Sequence, residues 1–402
     1  MVLDPAHSSA APLVGRISNP AAEGIVYGPG TTRAELNKLL ERCGVERAFV
    51  VTTPSVLRCG LAATVEAILG ERFVGMFHGS MEHTPEPVVL AGASAARSAQ
   101  ADGLISLGGS SVVDLTKGIA MVLAEGEDLS QLRMEFRAGQ PGRNRRPELN
   151  APKLVHIALP TTLSGAEFTG AAGITDPVGG VKQIYRDAKL TPRWVLLDPE
   201  LTRDTPASLW AATGMKALAD TIEVLCSRRA TPLSDAVALA ALSMLSEELG
   251  PATADGDNLA ARGRCQFAVG MALPQLAMVG VGLVAGLRHQ LGAGLGVGHG
   301  VASTIVLPHV LRWNAPAAGS ALRRAGAAVG VDAGGDAIEG LIVGIEQLTQ
   351  TLGLPTRLRD VGVAEHDLAG VAEHVLGDGA LATNPRPVTD AAEVLEVLHA
   401  AW

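Results

Sequence analysis

Aromatic side chains are scarce: the 402-residue chain has six Phe, two Tyr and four Trp. Its abundant Ala, Gly, Leu and Val suit close-packed helices and glycine-rich turns better than a β-sandwich core. Cysteine is sparse as well. Cys43, Cys59, Cys226 and Cys265 stand far apart, and none falls in a C-x-x-C spacing. That excludes a thiolate metal knuckle and fits reduced, scattered cysteines in a cytoplasmic protein. Excess positive charge is missing too. The net charge is −9 with no basic run, which argues against a nucleic-acid partner. Arg143, Arg145 and Arg146 cluster, but among Gly, Pro and Asn, as in a solvated loop. No stretch of about twenty apolar residues runs uninterrupted, so no membrane span is expected. The N-terminus lacks the basic-then-apolar pattern of a secretory signal.

What is present is an alternation. The first twenty or so residues are rich in Pro, Ala and Ser and read as an extended arm. Continuous apolar runs follow at residues 47–53, 73–77, 103–107 and 154–159, with Trp194-Val-Leu-Leu-Asp as a last short strand. Helical patterns over 54–69 and 87–100 separate them, and residues 127–153 form a longer excursion. Apolar strands alternating with helices predict a parallel sheet covered on both faces. From Pro206 the pattern becomes long Ala/Leu-rich helices broken by Gly and Pro. Residues 271–287 read as one buried core helix with histidines at its end. The expected division is an α/β nucleotide-binding domain over residues 1–190 and an all-helical domain over 191–402.

Several segments carry chemistry. Leu107-Gly-Gly-Ser-Ser-Val-Val-Asp-Leu-Thr-Lys follows a strand and opens a helix. Glycines there let a phosphate approach the backbone, and the helix start supplies free N–H groups. Leu159-Pro-Thr-Thr-Leu-Ser-Gly-Ala-Glu follows the next strand; its hydroxyls could cap a helix, face a ligand, or do both. The strand ending in Thr52-Thr-Pro-Ser has no carboxylate for a ribose 2′-hydroxyl, so NADPH should be tolerated at least as well as NADH. Lys216 and Asp220 lie four apart on an expected helix and can pair. His289 and His299 flank a glycine-rich turn.

Together these segments resemble the iron-containing alcohol dehydrogenases, from about Val26 to about Thr389. Thr52-Thr-Pro-Ser, Met81-Glu-His-Thr-Pro-Glu-Pro-Val and Asn384-Pro-Arg-Pro-Val-Thr resemble the maleylacetate reductase branch. The resemblance implies a Rossmann-like dinucleotide-binding domain followed by an all-α domain, the fold shared with dehydroquinate synthase. It implies NAD(P)H as cofactor, a small-molecule substrate and a homodimer. It also implies that the cofactor meets Gly108, Gly109, Ser110, Ser111, Asp114, Thr161, Thr162 and Ser164, together with Lys182 and Thr53. Lys182 reads equally well as a surface lysine. His83 and His309 fall in segments that line or support the family's cleft, where structural roles are expected.

The departure from the family is at its metal. Lys216 stands where the family has a ligand aspartate, Asp220 where it has a ligand histidine, and Ala285 where it has another; His299 alone keeps its type. His289 matches the histidine near the reacting carbon. One histidine and one carboxylate do not make a three-ligand site, so no tightly bound metal is expected. The expectation is a metal-independent reductase in which Lys216, Asp220, His289 and His299 form the catalytic group. Lys216 would stabilise developing negative charge where the cation once did, or else the pair merely fills a vacated cavity. A biosynthetic lyase, dehydratase or cyclase on the same scaffold, and a non-catalytic binding protein, stay open at this point.

Overall fold

A computed structural model describes residues 22–81, 84–134, 147–176, 182–331 and 336–402. The N-terminal arm, His83 and the arginines 143, 145 and 146 lie outside them.

Among the described residues eight strands are formed: β1 (Gly24–Tyr27), β2 (Ala48–Val51), β3 (Phe73–Phe77), β4 (Gly103–Gly108), β5 (Val155–Pro160), β6 (Ala171–Thr175), β7 (Lys182–Arg186) and β8 (Trp194–Leu197). Six make one parallel sheet in the order β1-β8-β5-β4-β2-β3, and β6 pairs with β7 as a separate antiparallel hairpin. The helices among them are α1 (Thr31–Arg42), α2 (Pro54–Arg58), α3 (Leu61–Leu69), α4 (Glu86–Ser98) and α5 (Ser110–Glu125).

Side chains alternate across each strand and sort into two cores. Phe49, Val51 and Leu104 pack with Val112, Leu115 and Ile119 of α5. Their neighbours Ala48, Val50, Ile105 and Leu107 pack on the opposite face with Leu36, Leu40 and Val65 of α1 and α3. The central strands β2, β4 and β8 are buried along their whole length. That is why they read as continuous apolar runs.

The C-terminal part is helical: α6 (Ala207–Cys226), α7 (Pro232–Ala254), α8 (Leu259–Val279), α9 (Leu283–Leu295), α10 (His299–Ala328), α11 (Ala337–Thr351), α12 (Leu368–Val375) and α13 (Ala391–Ala401). β8 lies beyond the boundary expected near residue 190, yet it sits inside the sheet between β1 and β5, so the helical part begins at Ala207. Ala158, Val195 and Leu197 of the sheet join the helical core directly. Arg262, 1% exposed, stacks its guanidinium 4.5 Å from the Trp210 ring and donates to the carbonyls of Thr202 and Ala252. It thereby bolts the segment after β8 to α6, α7 and α8.

Two expected helices are in fact broken. The run over 54–69 divides into α2 and α3 at Gly60, which takes φ +82°. The run over 271–287 divides into α8 and α9, bent by 95°. Gly280 makes the corner at φ +79°, where Thr383 packs so closely that no Cβ fits. No single helix among the described residues is long and apolar enough to cross a membrane.

From β2 the chain runs outward to β3, then returns to set β4 on the other flank of β2 and continues to β5. Strand order therefore reverses between β2 and β4, and the crevice at their carboxyl ends is the expected ligand position in a sheet of this kind.

One buried group makes the sheet acid-sensitive. His156 of β5 is 4% exposed and bonds Ser106 of β4 through Nε2 at 2.7 Å. Burial lowers its pKa from 6.5 to about 3. The folded chain refuses a proton that the unfolded chain takes below about pH 6.5, so its stabilising contribution is lost as pH falls from there toward 3. The expected slope is about 1 kcal/mol per pH unit. Unfolding free energies of the parent and of His156→Gln, measured by urea between pH 7 and pH 4, should diverge with this slope, because the contributions of the other buried titratable groups are common to both and cancel.

Candidate active site

The first wall of the site is the turn after β4. Gly108 has φ +152°, and a Cβ there would lie 2.6 Å from Val112. Gly109 precedes α5, whose N-terminus has no side-chain cap. Ser110 and Ser111 form the first turn of that helix. An uncapped helix start behind two glycines presents free N–H groups to an anion, and these residues fit a dinucleotide pyrophosphate. Thr53 stands at the carboxyl end of β2 and caps α2, its Oγ1 accepting from the Val56 N–H at 3.2 Å. Thr52 is turned inward and donates to the Leu107 carbonyl.

The second wall is the turn after β5. The Thr161 N–H donates to the Gly108 carbonyl at 3.1 Å, which joins the two turns. A Cβ on Gly109 would meet Thr162 at 3.1 Å. Thr162 Oγ1 lies 2.9 Å from Ser164 Oγ.

One expected cofactor residue, Asp114, has another neighbour, as does Lys117 one turn on. Asp114 Oδ2 accepts from the Gly173 N–H of β6 at 3.1 Å. Lys117, fully buried, donates to the carbonyls of Ala166 and Ala171 at 2.7 Å each. Burial lowers the Lys117 pKa to about 8. This pair holds the β6 edge onto α5. Lys182 opens β7, and its side chain is outside the described residues. Glu167, 2% exposed between these walls, has its pKa raised to about 7 by burial.

The second turn is tied to the helical part through Lys216. Its ammonium donates to the Ser164 carbonyl at 2.8 Å and sits 2.7 Å from Asp220 Oδ2, one helical turn on along α6. Asp220 is completely buried, and its other oxygen pairs with the guanidinium of Arg288 on α9. Burial alone would raise the Asp220 pKa, but Arg288 and then Lys216 hold it below the usual carboxylate range. Burial pulls the Lys216 pKa down, with Asp220 opposing. Thus one carboxylate is shared by two cations. Arg288 was missed as a site residue, although it lies three positions after Ala285 and so on nearly the same helical face.

A divalent cation has little to hold here. Ala285 offers no donor, Asp220 is already engaged on both oxygens, and two positive charges flank the position. The residues present do not fit the family's metal. Among the described residues no group of three or more His, Cys, Asp and Glu could hold one.

α9 carries the third wall. Its N-terminus is capped from a distance: Glu223 accepts from the N–H groups of Val284 and Ala285, and Asn384 Oδ1 accepts from that of Leu283 at 2.9 Å. Burial raises the Glu223 pKa to about 7, against the pull of Arg288. Asn384 is in turn paired with Asn314 of α10. The Asn-Pro-Arg segment therefore works as a clasp on α9. His289 is 42% exposed and its ring lies 5.9 Å from that of His299, the first residue of α10. His309 is farther along α10 and half-buried, with its pKa lowered by burial.

The chain matches known proteins across its length. Residues 22–199 match the iron-containing alcohol dehydrogenases, and residues 210–402 match the C-terminal part of the Fe-containing alcohol dehydrogenase family. It is 30% identical over 380 residues to the NAD-dependent methanol dehydrogenase of Bacillus methanolicus, spanning 92% of this chain and 97% of that one. It is 32% identical over 378 residues to a maleylacetate reductase of Pseudomonas knackmussii, spanning 94% and 95%. The crystal structure of a 1,3-propanediol oxidoreductase superposes with a TM-score of 0.88 at 28% identity, covering 96% of this chain and 100% of that one.

Removing Asp220 leaves two buried cations uncompensated, whereas removing Lys216 leaves an intact Asp220–Arg288 pair. Asp220→Asn should therefore cost roughly 3–5 kcal/mol of unfolding free energy, and Lys216→Met much less. Urea unfolding of both variants beside the parent checks this order.

Proposed function

This chain belongs to the iron-containing alcohol dehydrogenase family and is an NAD(P)-dependent oxidoreductase, and we propose that it is a maleylacetate reductase-like enzyme that works without a bound metal. Its substrate is a small oxo-acid or related carbonyl compound, reduced at a ketone or at a conjugated double bond. The observation that carries this proposal is the Lys216–Asp220–Arg288 cluster, in which two fixed cations engage both oxygens of the buried carboxylate.

Each residue has a task in this scheme. Gly108, Gly109, Ser110 and Ser111 receive the pyrophosphate, with Thr161, Thr162 and Ser164 lining the same pocket and Lys182 near the cofactor. Bound NAD(P)H supplies the hydride. Lys216 faces the substrate oxygen and stabilises the negative charge that develops as the hydride reaches carbon. Asp220 keeps that ammonium charged and aimed despite its burial. His289 then gives a proton to the oxygen, or to the α-carbon when a double bond is reduced, which balances the two-electron transfer. His299 packs beside His289 and limits its swing. The family match favours this redox chemistry over a lyase or cyclase on the same scaffold.

Edge strand β1 exposes Ile25 and Tyr27, which supports the homodimer the family resemblance implies. Light scattering of the purified chain should give the mass of two copies.

Purified protein, dialysed against a strong chelator, should oxidise NAD(P)H in the presence of an oxo-acid as fast as untreated protein. Activity that vanishes with the chelator and returns with a divalent cation would sink the metal-free proposal. Lys216→Met should lower kcat on the order of 10²-fold or more, while the protein stays folded. Thr53→Asp keeps a good helix cap and adds a carboxylate at the end of β2. It should lower kcat/KM for NADPH on the order of tenfold relative to NADH, through repulsion of the 2′-phosphate.

A further inference from the structure

We propose that Asp378 is a positioning residue for His289, fixing its imidazole as the Nδ1–H tautomer so that Nε2 is the nitrogen that trades a proton with substrate. This rests on the reading of His289 as the proton donor, and it adds which nitrogen acts and what aims it.

The geometry is direct. His289 Nδ1 lies 2.9 Å from Asp378 Oδ2. The Asp378 side chain is 13% exposed, and that of His289 is 42% exposed. Among the described residues the other hydrogen bonds of the Asp378 carboxylate are also with donors: Gln290 Nε2 reaches the same oxygen at 3.2 Å, and the Ala380 N–H reaches Oδ1 at 2.9 Å. A carboxylate surrounded by donors accepts from all of them, so Nδ1 must carry the proton it shares. Burial would raise the Asp378 pKa, but the hydrogen bond and charge of His289 bring it below the ordinary range. Asp378 is therefore ionised at neutral pH.

The placement also resists motion. Asp378 caps the turn Gly379–Thr383, which packs on α9, so its carboxylate is set by backbone rather than by a flexible stem. His289 and Gln290 reach one oxygen from consecutive positions of α9, which fixes the helix as well as the ring. The His299 ring lies beside it, with centroids 5.9 Å apart and a tilt of 52°. With Nδ1 held, neutral His289 offers a lone pair at Nε2, and the imidazolium offers an Nε2–H. That is the two-state group a reversible proton transfer needs.

Asp378→Asn separates positioning from scaffolding. Its amide oxygen can still cap Ala380, but its NH₂ can donate to Nδ1 and favour the opposite tautomer. Two-bond ¹H–¹⁵N spectra of the full-length protein with labelled histidine, the His289 signal assigned by its loss in His289→Gln, report the tautomer without any turnover. The expected results are Nδ1–H in the parent and Nε2–H in Asp378→Asn. With NADPH and an oxo-acid, kcat in Asp378→Asn should fall on the order of 10²-fold, with KM for NADPH within twofold and the thermal midpoint unchanged. An Nε2–H tautomer in the parent overturns the proposal, even if the variant does not fold. A kcat within twofold of the parent overturns it too. If no carbonyl compound is reduced at all, it is the reductase function that fails, and the parent tautomer still decides the role of Asp378.

Discussion

A single carboxylate, Asp220, holds the site together. It has no exposed surface and is bound by cations from two helices, Lys216 on α6 and Arg288 on α9. Taking three charges out of water is expensive, and a hydrophobic filling of the same space would be about as stable or more so. The cluster thus makes poor sense as a stabilising device alone. It makes sense as a way to keep an ammonium charged in a place where burial works to neutralise it.

From that anchor the contacts run in two directions. Through the Ser164 carbonyl, Lys216 is fixed to the turn that lies against Gly109, so the charged group and the N-terminus of α5 share one rigid frame. Through Arg288, the frame continues into α9 and to His289 on the next residue. Preorganisation of this kind matters because electrostatic stabilisation is effective when the dipoles and charges need not move during the reaction. The helical core reaches the sheet through Ala158, Val195 and Leu197, which keeps the two sides of the cleft in register.

The sequence made the sheet readable because its central strands are buried on both faces and so are apolar throughout. It hid the β6–β7 hairpin, whose short strands contain Gly, Thr, Lys, Gln and Arg and carry no clear period. It hid the 95° corner between α8 and α9 for a related reason: an apolar, glycine-bearing run looks the same whether straight or bent, and the corner at Gly280 depends on Thr383, about a hundred residues away. In the site, the Lys216–Asp220 pair was legible from helical spacing alone. Arg288 was within reach of the same logic, since it is three positions from Ala285. Asp378 was not, because its partner is 89 positions away and no local pattern announces the contact. The boundary expected at residue 190 cut off β8, since a short strand next to a helical stretch gives no sign of which layer it joins.

The clasp on α9 has a consequence for how the molecule is made. Leu283 is bonded by Asn384, 101 positions later, and His289 by Asp378, 89 positions later. During synthesis the sheet and its glycine-rich turn can form from residues already translated, long before these two partners leave the ribosome. A nascent chain can therefore complete the turns after β4 and β5 while the helix that bears His289 still lacks its cap and its aim. Assembly order is written into the spacing: the sheet and its turns first, the clasp on α9 last.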